Sequence, residues 1–277
     1  MIVWLNGELA PVEQTRVSPL DHGLLVGDGV FETIRVYGGV PFAWTRHVTR
    51  LRESAAGLGL SVPDPTELRR AAAAVLDAND LAEARLRITV TGGPAPLGSP
   101  RGDTAPTVIV AASACATPLP TATVAVVDWR RNERGATAGL KTISYAENVR
   151  ALGEAHARGA DEAIFANTRD ELCEATGSNL FVVVAGVVHT PPASAGCLLG
   201  VTRALVLELC EREQIPHEET DLGIDALTSC AEAFLSSTTR EVQGIAAVDA
   251  TPLAAPGPRT RRLADLFTEL VARDPDP

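Results

Sequence analysis

Ala138-Gly139-Leu140-Lys141-Thr142-Ile143-Ser144-Tyr145 carries the one lysine of a 277-residue chain; the other 23 of its 24 basic residues are arginines. A chain that uses arginine wherever a surface cation suffices keeps lysine where guanidinium cannot serve. An ε-amine can lose its proton and attack a carbonyl, whereas guanidinium stays charged and cannot. The neighbours of Lys141 are apolar, aromatic or β-branched. The amine is therefore expected to be desolvated, with a lowered pKa and nucleophilic character. A lysine surviving by chance is the plainer alternative, and it would be the better one in a polar run.

Composition frames the chemistry. A net charge of −11 argues against nucleic acid and against an acidic membrane surface. No apolar run approaches the length that spans a bilayer, and the start, Met1-Ile2-Val3-Trp4-Leu5-Asn6-Gly7-Glu8, lacks the basic opening and cleavage site of a signal peptide. Cys115, Cys173, Cys197, Cys210 and Cys230 form no CxxC pair, so they read as reduced, mostly buried thiols of a cytoplasmic protein. His22, His47, His156, His189 and His217 lack metal-ligand spacing, and no metal is expected.

Outward from Lys141, strands and helices alternate. Residues 1–5 read as a strand with Asn6-Gly7 as a hairpin turn. A β-rich run over 29–37 turns at Gly38-Gly39 into a strand over 40–44. Val48, Leu51 and Ala55 share one face of a helix over 46–58. A second helix covers 63–79, and strands at 86–91 and 107–112 flank a Gly/Pro loop. Pro118 and Pro120 mark a linker within 113–123. The chain thus divides into a smaller N-terminal domain over 1–115, a linker over 116–123 and a larger domain over 124–277. The larger one opens with a strand over 124–127 and a helix over 147–158 ended by Gly159. Short strands at 163–166, 172–175, 180–184, 187–190 and 233–236 follow, with helices from Gly200 to about 213 and over 260–273.

Several stretches carry the makings of an anion site. Gly200-Val201-Thr202 opens a helix, where free N–H groups and a hydroxyl can cradle an anion; by itself this is a plain cap. Ser236-Ser237-Thr238-Thr239 follows a strand and adds hydroxyls, though alone it is a turn. Arg50 lies on a helix with an inward apolar face and can reach a buried phosphate; read singly it is a solvated arginine. Glu174, within Leu172-Cys173-Glu174-Ala175-Thr176-Gly177-Ser178-Asn179-Leu180-Phe181, needs a cationic partner if buried. A protonated heterocyclic nitrogen would serve, and a solvent-facing hairpin glutamate is the alternative.

Order and combination decide. Gly27-Asp28-Gly29-Val30-Phe31-Glu32-Thr33-Ile34-Arg35, His47-Val48-Thr49-Arg50-Leu51, Lys141, Glu174 with Asn179-Leu180-Phe181, Gly200-Val201-Thr202-Arg203 and Ser237-Thr238-Thr239-Arg240-Glu241-Val242 together resemble the class IV pyridoxal phosphate enzymes. That family includes the D-amino acid and branched-chain aminotransferases and aminodeoxychorismate lyase. The resemblance runs from about Trp4 to Val248. It implies the type IV fold, a mixed α/β architecture with a small N-terminal and a large C-terminal cofactor-binding domain, the cofactor between them, in a homodimer whose active sites border the partner subunit. It implies pyridoxal 5'-phosphate as cofactor, with Lys141 condensing with its aldehyde and Glu174 facing its ring nitrogen. Arg50, Val201, Thr202 and Thr238 match the phosphate cup, and Leu198 matches a side chain packed on the ring. Lys141, once released, would move the substrate's Cα proton.

Substrate choice is less sharply written. The Ser237-Thr238-Thr239 loop looks most like the D-amino acid aminotransferases, and Phe31 and Thr239 fall at substrate-binding positions. Those enzymes place a carboxylate-binding arginine after a Val-Thr strand end, where this chain has Val90-Thr91-Gly92-Gly93; Phe31 also stands where they usually carry tyrosine. A buried substrate carboxylate still needs a cation, and Arg35, in the same strand as Phe31, is the first candidate, ahead of Arg87, Arg130 and Arg134. The leading expectation is transfer of an amino group from a D-amino acid, and also from (R)-amines, to a 2-oxo acid. The alternatives are an aminodeoxychorismate lyase releasing 4-aminobenzoate and pyruvate, and a branched-chain aminotransferase. A non-catalytic cofactor-binding protein would need Lys141 but not Glu174.

Overall fold

The computed structural model describes residues 1–277. The chain forms two compact units. The first holds Met1–Ala116 together with Leu140–Tyr145 and Pro275–Pro277; the second holds Thr117–Gly139 and Ala146–Asp274. The lysine-bearing segment thus packs within the first unit, although it lies beyond the proline-marked linker in sequence.

The first unit runs β1 (Ile2–Leu5), β2 (Glu8–Pro11), α1 (His22–Val26), β3 (Gly29–Tyr37), β4 (Val40–Pro41), α2 (Trp44–Leu58), α3 (Pro65–Ala78), β5 (Ala84–Thr91) and β6 (Thr107–Ala114). Its strands form one antiparallel sheet in the order β2-β1-β6-β5-β3-β4. Alternation sorts the two faces of that sheet: Ala84, Leu86, Ile88 and Val90 of β5 are buried, while Arg85 and Arg87 between them are exposed. The apolar face meets Val48, Leu51 and Ala55 of α2 and Leu68, Ala71, Ala72 and Val75 of α3, which recur at helical spacing. The strand expected over 40–44 ends at Pro41 because Ala43 takes a left-handed conformation (φ 51°) and Trp44 already belongs to α2.

The second unit runs β7 (Thr121–Arg131), α4 (Ala146–Ala157), β8 (Glu162–Asn167), β9 (Leu172–Ala175), β10 (Asn179–Val184), β11 (Val187–Thr190), α5 (Val201–Arg212), β12 (His217–Glu219), α6 (Ala226–Ser229), β13 (Glu232–Ser237), β14 (Glu241–Val248), β15 (Thr251–Pro252) and α7 (Pro258–Arg273). Its strands order as β12-β11-β10-β13-β14-β7-β8-β9, with β15 beside β14. β7 lies parallel to β14 and β8, and β11 parallel to β12. One core packs Val124, Ile164, Leu172, Leu180, Leu235 and Ile245; another packs Val127 and Phe165 against Ala151 and Ala155 of α4. β6 continues through Ala114 and β7 opens at Thr121, so the loop between them spans only 115–120. No helix is long and apolar enough to cross a membrane.

Candidate active site

In the first unit, β4 pairs with β3 only at Val36 and Tyr37, leaving the edge of β3 near Gly29 to be filled otherwise. The segment around Lys141 fills it. Phe31 N donates to Lys141 O at 3.1 Å, Ile143 N donates to Gly29 O at 2.9 Å, and Thr142 bridges Val30. Gly29 is required by this approach: a Cβ there would sit 2.7 Å from Val90 O and 2.8 Å from Ile143 Cδ1. The Lys141 amide donates to Ser54 Oγ of α2 at 3.0 Å. The lysine backbone is therefore fixed from both sides, and its amine lies 4.3 Å from the Phe31 ring centroid and 6.0 Å from that of Tyr145.

Glu32 faces α2 from the otherwise apolar side of β3 and is fully buried. A carboxylate there demands partners. Arg50 supplies two bonds, Nε to Oε1 at 2.7 Å and an Nη to Oε2 at 2.8 Å, and His47 Nδ1 lies 2.7 Å from Oε2. Burial works against the Glu32 anion, but Arg50 and His47 overcome it and hold the carboxyl well below the usual carboxylate range. Burial outweighs the pull of Glu32 on His47 and lowers the imidazole pKa, with Arg50 and Lys141 adding to the effect. Arg50 is not the solvated helix arginine of the simplest reading; Glu32 fixes its orientation.

Arg35 departs from its expected role. Its guanidinium donates to Cys115 O at 2.7 Å and to Ala116 O at 3.3 Å, and ion-pairs with Glu83 at 3.1 Å. It also stacks on Tyr37. These partners hold it at the far end of β3 from Phe31, so it ties down the start of the 115–120 loop instead of awaiting a substrate carboxylate. Arg87 shares the Phe31 ring with Lys141: its Cζ lies 3.8 Å from the Phe31 centroid. Its Nε donates to Thr89 Oγ1 at 3.1 Å, and no carboxylate pairs with it. The residue is exposed, yet partial burial around the guanidinium lowers its pKa, with Tyr145 opposing that and Arg85 adding to it.

A side chain at Gly92, where the D-amino acid enzymes carry an arginine, would require Asp28 to shift. A Cβ at Gly92 would lie 2.5 Å from Asp28 Oδ2. The cation of this loop is Arg101, which grips Asp28 at 2.6 and 2.5 Å and donates to Gly59 O at 3.0 Å.

In the second unit, Glu174 stands on β9 opposite Phe165. It accepts the Leu198 N–H at 2.9 Å, and Arg131 Nε lies 3.6 Å from its other oxygen. Arg131 is braced by Asn148 at 2.7 Å and by the Phe165 ring at 4.1 Å. Asn179 opens β10 and donates to Leu198 O at 2.7 Å, so the loop leading to Gly200 is held at both Glu174 and Asn179. Helix α5 then starts at Val201 with no side-chain cap, and its first N–H groups have no intrahelical acceptor. Thr202 is buried within that turn. Asn179 pairs with Ser236 across β10 and β13, and the next turn carries Thr238 and Thr239, closed by Arg240 N donating to Ser237 Oγ at 3.2 Å.

Each unit thus gathers part of the expected set: Lys141, Phe31 and Arg50 in the first, Glu174, Leu198, Val201, Thr202, Thr238 and Thr239 in the second. Ser54, Glu32, His47, Arg87, Tyr145, Arg131 and Asn179 join them as supporting residues. Glu32 had a readable signal, since it interrupts the buried series Val30, Ile34, Val36, with His47 and Arg50 three residues apart on the next helix. Each set, taken by itself, offers groups that suit part of a phosphorylated aldehyde with a basic ring nitrogen. The second unit offers an uncapped helix start and two buried hydroxyls, Ser178 Oγ and Ser236 Oγ, without partners. The first offers an amine on an aromatic face.

Residues 29–248 match the family amino-transferase class IV. The D-alanine aminotransferase of Bacillus licheniformis is 32% identical, covering 95% of this chain and 94% of that one. The branched-chain aminotransferase of Thermoproteus uzoniensis, solved with norvaline, is 32% identical with a TM-score of 0.93, covering 98% and 94% of the two chains. The T.th. branched-chain amino acid aminotransferase, solved with pyridoxamine 5'-phosphate, is 29% identical with a TM-score of 0.92, covering 99% and 95%. The chain belongs to the class IV aminotransferases and is a pyridoxal phosphate-dependent enzyme with their mixed α/β fold.

Proposed function

We propose that this enzyme transfers the amino group of a D-amino acid to a 2-oxo acid, with Arg87 as the cation for a substrate carboxylate. The observation that carries the carboxylate preference is Arg87 itself. It is a guanidinium without an acidic partner, on the same aromatic ring as the only lysine. Such a charge favours amino acids over simple amines, since only the former bring a compensating anion. The D series is supported by the Ser237-Thr238-Thr239 loop and by the D-alanine aminotransferase relative. Branched-chain amino acids are the second reading, favoured by glycine at position 92 in place of the D-amino acid enzymes' arginine and by the Thermoproteus likeness.

Bound pyridoxal phosphate supplies an aldehyde that takes up the amino group and a ring that draws electrons from the substrate Cα. Lys141 would hold the aldehyde carbon and, once released, would move the proton at the substrate Cα. Glu174 keeps a proton on the ring nitrogen, its own carboxylate oriented by the Leu198 N–H. Leu198 would pack on the ring, Arg50, Val201, Thr202 and Thr238 would hold the phosphate, and Thr239 would border the substrate. The enzyme works as a cytoplasmic homodimer. Four buried thiols and the exposed Leu20, Leu24, Leu25, Val26 and Leu97 of the first unit support that reading.

Half-reactions test the proposal. The enzyme mixed with D-alanine alone should stop after one turnover with its absorbance converted to the pyridoxamine form, faster than with L-leucine. Arg87→Ala should raise KM for D-alanine roughly 10-fold or more and spare amines without a carboxylate. Repeated turnover of aminodeoxychorismate without a 2-oxo acid would establish the lyase instead.

A further inference from the structure

Helix α2 carries Arg50, His47 and Ser54, yet its own sequence gives it a poor start. Its cap residue, Ala43, has no side chain able to accept a hydrogen bond, and its first turn holds no acid. Both deficits are met from 231 residues away in the chain. Asp276 Oδ1 accepts the Thr45 N–H at 2.8 Å, and Oδ2 accepts the Thr45 hydroxyl at 2.6 Å. Ala43 N donates to Pro275 O at 2.8 Å and Arg46 Nε to Pro277 O at 2.7 Å. Arg69 of α3, stacked on Trp44, lies 3.9 Å from the same carboxylate. An acceptor with negative charge at the first turn is what an uncapped helix lacks.

We propose that Asp276 is a positioning residue of the active site: residues 275–277 cap α2 and thereby set Arg50 and Ser54. The route is short and lies within the first unit. One and a half turns beyond Thr45, Arg50 is clamped to Glu32; one turn further, Ser54 accepts the amide of Lys141. A first turn that frays loosens His47 and Arg50 against Glu32 and weakens the hold on the lysine segment. The inference rests on the phosphate role of Arg50 given above, so its test reads the helix and the cofactor separately.

Hydrogen–deuterium exchange of α2 is measured in the holoenzyme for wild type, Asp276→Ala and Asp276→Asn, alongside the rate of pyridoxal phosphate loss on dilution. The alanine variant should exchange its α2 amides about fivefold faster and lose cofactor two- to fivefold faster. Asparagine, whose Oδ1 still accepts the Thr45 N–H while its Nδ2 can donate to the Thr45 hydroxyl, should restore most of both readouts. Unchanged exchange in Asp276→Ala overturns the cap. Faster exchange with wild-type cofactor retention, while Arg50→Ala leaks cofactor, overturns the positioning role and leaves the phosphate reading intact. Retention in Arg50→Ala as well would remove the phosphate reading and this inference with it.

Discussion

In the first unit Glu32, His47 and Arg50 close on one another, and Arg35 closes on Glu83 and two carbonyls, with its buried Nε left over. In the second, Ser178 and Ser236 are buried with no partner and α5 begins without a cap. Buried polar groups that satisfy each other are oriented before any ligand arrives, whereas unpartnered ones leave the fold short of hydrogen bonds until something supplies them. On the proposed reading the first unit contributes preset groups to the chemistry, with Lys141 as its nucleophile and Arg87 as a cation without an acidic partner. On the same reading the second contributes donors that the cofactor would satisfy, and its elements should gain more stability on loading.

The largest expected effect tests the preset side. Lys141→Arg keeps the charge and removes the nucleophile, so transamination should fall by at least about 10⁴-fold. Because the chain has one lysine, borohydride reduction followed by peptide mapping has a single internal target; a pyridoxyl group found only on the N-terminal amine would refute the role of Lys141. On the other side of the comparison, Glu174→Gln should retain cofactor but slow the Cα proton step roughly 100-fold. A near-native rate would remove Glu174 from the chemistry.

The candidate residues, more than their division between the units, were legible in the sequence. The sole lysine, the glutamate in a small-residue hairpin and the helix opening at Gly200 each follow from local residue chemistry, and β3 was bounded to the residue by Gly29 and Tyr37. The choice between Arg35 and Arg87 was not legible. Both lie in strands of the same sheet, and alternation assigns each a face but not a partner. Glu83, which claims Arg35, and the carbonyls of Cys115 and Ala116 come from elements whose register only the assembled sheet fixes. The placement of the Lys141 segment in the first unit is likewise a long-range event, written in the room left at Gly29 and not in any local pattern.

A pair of substitutions sharpens that arginine contrast. Arg35→Ala removes the partner of a half-exposed glutamate and of two carbonyls, so it should lower the unfolding free energy by about 1–2 kcal/mol with KM for D-alanine nearly unchanged. Arg87→Ala should do the reverse. Acid titration probes the preset cluster more gently. His47 is depressed in the fold, so the unfolded chain binds more protons once the pH drops below about the ordinary histidine value of 6.5, and stability falls from there towards the folded pKa. The depressed Glu32 adds a further loss below its ordinary value of 4.5. The slope in the upper window should approach about 1.4 kcal/mol per pH unit at most. His47→Gln keeps a donor for Glu32 without the titration, and thermal unfolding of its apoprotein should be flatter between roughly pH 6.5 and 5.

The smallest effect belongs to Ser236, and it bears most directly on the contrast between the units. Its hydroxyl is 1% exposed and has no hydrogen-bond partner. A buried hydroxyl left unpaired costs about 1–3 kcal/mol relative to one that is satisfied. Removing it from a protein without cofactor therefore takes nothing away and relieves a desolvation penalty, so apo Ser236→Ala should melt at the wild-type temperature or slightly above. If the hydroxyl finds its partner when the cofactor binds, the same substitution should weaken pyridoxal phosphate affinity by a few-fold, about 1 kcal/mol. The stability gained on loading should then be smaller in the variant than in wild type. A drop in apo stability would show that Ser236 is already satisfied, and the second unit would then be as self-contained as the first.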